Sequence, residues 1–272
     1  MNTTKTSIND PRKRGCALIT GASGGIGGEF ARTFARNGHS LILVARRADK
    51  LEVLARELRR EHGVKVDVIA QDLGEAGAAV KLQREVTRRG LLVNILVNNA
   101  GQLCRGAFAE TDLAEQQALL QINIAVLTQL THLFLPLMIE RGHGRILNLA
   151  SSAAFQSLPW VATYAASKAY VLSFSEALSI ELKGKGVSVT ALCPGFTETD
   201  MITQKGAKTF KVAGVKNLTP TQVARQGYAA CMAGAPVYIN GGFNRAMVLI
   251  GQHLPRWLQR RSAERFARGS MR

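Results

Sequence analysis

Tyr164 and Lys168 stand four residues apart in the run Tyr164-Ala-Ala-Ser-Lys168, which places both side chains on one face of a helix. A free phenol loses its proton near a pKa of ~10 and is a poor acid–base catalyst at neutral pH. An ammonium group beside it favours the phenolate and brings the proton within reach of useful transfer. Ser151 lies upstream at the mouth of the apolar run Arg145–Ala150, where a hydroxyl can bond a substrate oxygen and stabilise charge developing on it. Each residue also has a plainer reading. A Tyr-xxx-Lys pair is ordinary on an amphipathic helix, and a serine often ends a strand.

A second group of residues points to a nucleotide. The segment Thr20-Gly-Ala-Ser-Gly-Gly-Ile-Gly27 follows the first apolar run directly and precedes a helix expected over Gly28–Arg36. In this loop Gly21, Ser23, Gly25, Ile26 and Gly27 are candidates to surround a pyrophosphate, since glycines admit close backbone approach and helix N-terminal amides face its charge. A tight turn alone would also collect glycines; the position between first strand and first helix favours the phosphate reading. No Lys-Ser or Lys-Thr pair follows, so this is not a Walker loop. At the end of the second apolar run, where NAD sites carry an acid, the chain has Ala45-Arg46-Arg47. An arginine fork suits a 2′-phosphate and offers no acceptor to a free 2′-OH. Two cations merely opening a helix would oppose its dipole. NADP(H) is therefore expected, with NAD(H) as the alternative. Asp72 and Leu73, after the third run, would sit near the adenine, although Asp72 could equally cap the next helix.

Positioning such groups requires a regular scaffold. Short runs rich in Val, Ile and Leu occur at Cys16–Thr20, Ser40–Ala45, Lys65–Ala70, Asn94–Val97, Arg145–Ala150, Val187–Leu192 and Pro236–Ile239. Helical patterns separate them, as expected of parallel strands covered on both faces. Arg46–His62 places Leu51, Leu54, Ala55 and Leu58 at helical intervals and stops at Gly63; Thr219-Pro220 is a cap followed by proline at the first helical position. A long apolar helix is expected over Asp112–Glu140, bent near Pro136, and another over Tyr164–Lys183, ended by Gly184. So many apolar positions imply more than one buried face on each, through subunit association into a dimer or tetramer or through deep burial. The expected architecture is α/β: one doubly wound, Rossmann-type parallel sheet of about seven strands. The expected boundaries are a mobile tail at 1–14, a dinucleotide-binding domain at 15–242 and a basic extension at 243–272.

In this order and on this scaffold, the motifs resemble the classical short-chain dehydrogenase/reductase family. They are Thr20 to Gly27, Asn98-Asn99-Ala100-Gly101, Asn123, Ser151, Tyr164-xxx-Lys168 and Pro194-Gly195, spread from about Gly15 to Thr199. The resemblance implies that Tyr164 donates the proton in carbonyl reduction or removes it in alcohol oxidation. It implies that Lys168 lowers the tyrosine pKa and holds the nicotinamide ribose, and that Ser151 orients the substrate oxygen. Asn123 would anchor a water that extends a proton relay through Lys168. Asn98, Asn99, Ala100 and Gly101 would line the adenosine side and brace the central strand, and Thr199 would meet the nicotinamide carboxamide. The family spacing to Tyr164 selects Ser151 over Ser152. Asn123 could also be a satisfied core amide.

The chain has 272 residues, 46% of them hydrophobic, enough for a full-sized core and incompatible with a disordered protein. No run reaches the ~18 consecutive apolar residues of a membrane span, and Met1–Arg14 lacks a signal-peptide core. The four cysteines Cys16, Cys104, Cys193 and Cys231 never form a CxxC and read as reduced thiols of a cytoplasmic protein; His39, His62, His132, His143 and His253 lack ligand spacing, so no metal is assigned. The net charge of +16 asks for an anionic partner. NADP(H) accounts for part of it. Lysines gather in an expected substrate lid, Phe196–Leu218, and arginines in the extension after Gly242, which carries Met247, Leu249, Ile250 and Trp257 among them. That extension would cover a neighbouring subunit or the cleft, or lie on an anionic membrane surface. Nucleic acid is not expected, since the basic residues form no recognised module. A nucleotide-binding protein that kept the fold without turnover is the remaining alternative to an oxidoreductase.

Overall fold

The computed structural model describes residues 16–197 and 217–269, with side chains as far as 264. The expected tail 1–14, Thr199 and most of the expected lid lie outside those residues. Seven strands form one parallel sheet in the order β3-β2-β1-β4-β5-β6-β7. They are β1 Cys16–Thr20, β2 Leu41–Ala45, β3 Val66–Ala70, β4 Val93–Asn98, β5 Gly144–Leu149, β6 Val187–Cys193 and β7 Val237–Ile239. Every strand falls on one of the apolar runs, because a strand covered on both faces must be apolar at successive positions. Leu41, Ile42, Leu43 and Val44 of β2 are all fully buried, and each such side chain contributes about 1.5–3 kcal/mol on leaving water.

Helices α1 (Gly25–Arg36), α2 (Ala48–His62) and α7 (Pro220–Ala233) cover one face of the sheet. Phe30, Phe34, Leu51, Leu58, Val223 and Cys231 form the core there. On the other face lie α3 (Ala78–Arg88), α4 (Leu113–Leu120), α5 (Leu127–Glu140) and α6 (Ala162–Glu181). Leu82, Val86, Leu130, Phe134 and Met138 pack there against Leu18, Leu96 and Ile146. Two further helices, α8 (Gly242–His253) and α9 (Arg256–Gly269), follow β7. α7 starts as its sequence dictates: Thr219 accepts from the Gln222 N–H, Gln222 reaches back to the Thr219 N–H, and Pro220 occupies the first helical position.

Three expectations about helices are corrected. α1 starts at Gly25 rather than Gly28, which places Ile26 and Gly27 in its first turn. α2 starts at Ala48 with Arg47 as its extended cap, so Arg46 and Arg47 precede the helix rather than open it. The long helix departs from α geometry in a π-turn at Gln121–Val126, whereas Pro136 sits inside continuous α5. By length and composition Leu113–Glu140 could cross a bilayer; here Leu127, Leu130, Phe134 and Met138 are buried in the core of the sheet.

Candidate active site

The order of strands reverses between β1 and β4, and the candidate residues gather around the carboxyl ends of these strands. Thr20 ends β1, and its hydroxyl donates to the Val97 carbonyl at 3.2 Å while accepting from the Asn99 and Ala100 amides, both at 3.0 Å. Asn99 Nδ2 donates to the Thr20 carbonyl at 2.8 Å, locking the glycine loop onto the end of β4. A Cβ on Gly27 would stand 2.2 Å from the Gly21 carbonyl oxygen and 2.5 Å from Asn99 Nδ2. Only glycine permits that approach. Gly21 and Gly25 adopt φ of 68° and 54°, in the left-handed region that glycine enters without strain.

α1 has no side-chain cap, no acid in its first turn and open space over Gly24. Its first amides therefore face outward with the positive end of the helix dipole, which fits a phosphate group. Ile26 packs its partly buried side chain against the core. Arg47 Nη2 donates to Ser23 Oγ at 3.0 Å, bringing a guanidinium to the rim of the loop. Arg46 is exposed, with Nη1 3.9 Å from Asp72 Oδ2. The structure separates the two readings of Asp72. Its Oδ1 accepts from the Gly74 N–H at 2.8 Å, and it does not cap α3, whose cap is Gly77. Leu73 is buried in the core, so only its backbone can face a ligand.

Asn123 sits in the π-turn and is buried. Its Nδ2 donates to the Gln102 carbonyl and to Ser167 Oγ, both at 3.0 Å, and its Oδ1 accepts from the Gln102 N–H at 2.8 Å. The amide thus pins the segment that leaves Gly101 to α6. A Cβ on Gly101 would meet Asn123 Oδ1 at 3.3 Å and Lys168 Nζ at 3.7 Å, so glycine keeps that corner open. π-turns recur at functional sites because the extra residue re-aims a side chain.

Tyr164 lies in the first turn of α6 and Lys168 one turn on, buried. Lys168 Nζ donates to the Leu149 carbonyl at 2.7 Å and lies 5.7 Å from the centre of the Tyr164 ring. Burial pulls the Lys168 ammonium down to about 8, opposed by the neighbouring Cys193. Burial raises the Tyr164 phenol, and a hydrogen bond from Ser151 opposes that rise. Ser151 Oγ also accepts from the Ala153 N–H at 3.1 Å, and the Ser152 N–H donates to the Pro194 carbonyl at 2.8 Å. Gly195 lies beside α8: a Cβ there would fall 2.2 Å from Asn244 Nδ2.

Asn98, from the Asn98–Gly101 motif, is braced by residues that carry no motif of their own. Asn98 Nδ2 donates to Asn148 Oδ1 at 2.9 Å and to Thr131 Oγ1 at 3.1 Å; Asn148 Nδ2 donates to Ser175 Oγ at 2.9 Å. This buried chain ties β4, β5, α5 and α6 together behind the site. Polar residues inside apolar strands were the available signal, since a buried amide needs partners. Asn148→Ala leaves donors and acceptors without partners in the core, and a loss of about 1–3 kcal/mol is expected, measurable as a lower urea midpoint with an unchanged slope. Trp160, with φ of 62°, accepts from the Gly106 N–H at 2.9 Å and ties the segment before α6 to the one after β4. Nothing in the sequence announces that conformation.

In open parallel sheets the crevice at a strand-order reversal receives the nucleotide, and this fold and site are of the Rossmann dinucleotide-binding class. A family profile described as short chain dehydrogenase matches residues 15–209. The chain is 32% identical over 210 residues to the ketoacyl reductase HetN of Nostoc sp., covering 76% of this chain and 71% of that protein. It is 30% identical over 245 residues to a human protein named inactive hydroxysteroid dehydrogenase-like protein 1, covering 89% and 73%. The solved short-chain dehydrogenase from Sphingobium yanoikuyae in complex with NADPH superposes with a TM-score of 0.78 at 31% identity, covering 87% of this chain and 92% of that one. The chain spans between 57% and 71% of the length of four curated relatives. It belongs to the short-chain dehydrogenase/reductase family of oxidoreductases.

Proposed function

We propose that this chain is a cytoplasmic NADP(H)-dependent oxidoreductase that interconverts a carbonyl compound and a secondary alcohol, with Tyr164 as general acid in reduction and general base in oxidation. The observation that carries the reading is the convergence of Ser151, Tyr164 and Lys168. Ser151 pulls the phenol pKa down against the effect of burial, and the buried ammonium lies 5.7 Å from the centre of the tyrosine ring. The uncapped start of α1 would hold the pyrophosphate, Arg46 and Arg47 the 2′-phosphate, and Tyr164 and Lys168 the nicotinamide ribose. Bound there, the nicotinamide supplies or accepts the hydride. Ser151 orients the carbonyl oxygen. Tyr164 gives its proton to that oxygen, and Lys168 favours the phenolate left behind. Asn123 holds the Gly101–Gln102 corner in place beside Lys168 and would anchor the water through which a proton returns. Pro194 and Gly195 shape the nicotinamide side, where Thr199 is proposed to meet the carboxamide.

NADP(H) rather than NAD(H) is supported by the two arginines at the end of β2 and by the NADPH complex of the Sphingobium relative. A ketoacyl or similarly apolar carbonyl compound is the substrate class that HetN's name supports. A homodimer or homotetramer through the long helices, 112–140 and 164–183, is supported by Leu113, Leu137 and Ile180, which stay exposed on them. The inactive human relative favours one other reading, a binding protein without turnover; the assembled Ser151, Tyr164 and Lys168 favour an enzyme. Separate titrations with NADPH and NADH, followed by a screen of carbonyl compounds for loss of reduced-nicotinamide absorbance, test the proposal. Tighter NADPH binding and turnover of at least one ketone are expected; binding without any turnover would select the other reading.

A pH dependence follows from Lys168. Its ammonium is disfavoured by burial, so its charge is nearly complete well below pH 8 and is lost as pH rises through about 8. Reduction needs the protonated phenol and the charged lysine to accept its conjugate base. kcat/KM for reduction is therefore expected to be level through neutral pH and to fall above about 8. Lys168→Arg keeps the charge at higher pH and should move the fall upward; an unmoved profile would show that another group sets it.

A further inference from the structure

The last two helices carry a surface that the proposed chemistry does not use. α8 holds to the body of the protein by one side only. Val248 is buried, and Asn244 donates to the Asn240 carbonyl at 2.9 Å while filling the space over Gly195. The other side is apolar and turned outward: Phe243 is 56% exposed, Met247 54%, Ile250 60% and Leu249 50%. Phe243, Met247 and Ile250 succeed one another at four and three residues, so they form a single stripe. Trp257, at the start of α9, is 61% exposed. Arg256, Arg260 and Arg261 beside Trp257 are exposed, whereas Arg245 lies over the Tyr238 ring, 5.6 Å from its centre. From Gly242 onward the sequence holds seven arginines, no lysine and one carboxylate, Glu264.

These two properties together narrow the occupant. A second copy of the chain would bring the same arginines against these, and like charges repel across an interface. Nucleic acid would meet the arginines but would leave four large apolar side chains in water. A helix with an apolar stripe that includes an aromatic residue, edged by arginines, matches an anionic bilayer surface. The apolar side chains enter the boundary between headgroups and acyl chains, and the guanidinium groups meet lipid phosphates. We propose that α8 and the start of α9 dock the protein on anionic lipid membranes. The same helix packs against the turn Ser152–Phe155 and over Gly195. Docking therefore sets the Ser151 end of the site next to the lipid, where apolar carbonyl compounds concentrate. The docking itself does not depend on turnover.

The test is sedimentation of the full chain with phospholipid vesicles, some of phosphatidylcholine alone and some with phosphatidylglycerol replacing a third of it. Binding to the anionic vesicles is expected, at least roughly tenfold stronger than to the neutral ones and weakened by salt. Two triple variants separate the contributions, with circular dichroism confirming that each is folded: Phe243→Ser/Met247→Ser/Ile250→Ser and Arg256→Gln/Arg260→Gln/Arg261→Gln. Each is expected to weaken binding by at least roughly tenfold, since an arginine near an anionic surface strengthens binding roughly fivefold. Vesicles should also shift the tryptophan emission to the blue, and Trp257→Phe should remove that shift. Absence of binding to anionic vesicles would overturn the proposal, as would undiminished binding by the serine variant. A serine variant that falls to a smaller oligomer, with no vesicle binding by the parent chain, would also overturn it and assign the stripe to a second copy.

Discussion

Tyr164→Phe is expected to lower kcat for carbonyl reduction by roughly 10²–10⁴-fold, the range for removing a positioned general acid, with dinucleotide Kd within a few-fold. The substitution deletes one oxygen from a ring at the start of α6 and leaves the helix intact. It removes the proposed proton donor and nothing else. Lys168 is held by its bond to the Leu149 carbonyl at 2.7 Å, with its nitrogen 5.7 Å from the centre of the tyrosine ring, and is proposed to serve the ribose instead of the carbonyl oxygen. Ser151 cannot take over, since a hydroxyl near its ordinary pKa is a far weaker acid than a phenol. Single-turnover reduction by enzyme preloaded with NADPH isolates the chemical step from product release. A variant with turnover near that of the parent chain would move the acid to another group.

The second large effect concerns the cofactor. Arg46→Ala/Arg47→Ala is expected to weaken NADPH by roughly 10²-fold or more, from a charge-assisted hydrogen bond of about 1.5–3 kcal/mol at each arginine, and to change NADH by only a few-fold. The contact between Arg46 and Asp72 spans 3.9 Å and is exposed. A pair of that kind is worth about 0–1 kcal/mol, so a phosphate displaces the carboxylate at little cost. Arg47 is already oriented by its bond to Ser23 at 3.0 Å. Of the single variants, Arg46→Ala should be the more selective, because Arg47 also holds the loop. Isothermal titrations with both dinucleotides measure this, and equal losses would dissociate the arginines from the 2′-phosphate.

Both predictions rest on residues that were visible before any coordinates. The seven strands were legible because a strand covered on both faces has few polar positions to blur its pattern. The glycine loop was legible because close backbone approach admits one residue type; at Gly27 a Cβ would fall 2.2 Å from a carbonyl oxygen. What was hidden depends on geometry rather than composition. The π-turn at Gln121–Val126 keeps a helical hydrophobic pattern, so proline at 136 was the only visible irregularity. Asn123 reads as a core amide, and its three bonds to Gln102 and Ser167 require knowing which segment passes α6. The start of α1 was misplaced by one turn because glycines read as a loop even where the chain is already helical. Whether Asp72 faces the adenine or caps the next helix was undecidable because it depends on where the backbone turns: its Oδ1 takes the Gly74 N–H, and Gly77 caps α3. The basic extension was legible in composition, but which side of α8 faces out was not.

The central claim is hydride transfer between a nicotinamide and a carbonyl carbon with Tyr164 supplying the proton. Its most direct test is reduction of a ketone found in the substrate screen, using NADPH deuterated at the transferring carbon, with mass spectrometry of the alcohol. The parent chain is predicted to place deuterium on the carbinol carbon in proportion to the NADPH oxidised, and Tyr164→Phe to place almost none while still binding the dinucleotide. Equal label from both proteins, or NADPH oxidation that leaves the carbinol carbon unlabelled, would contradict the account.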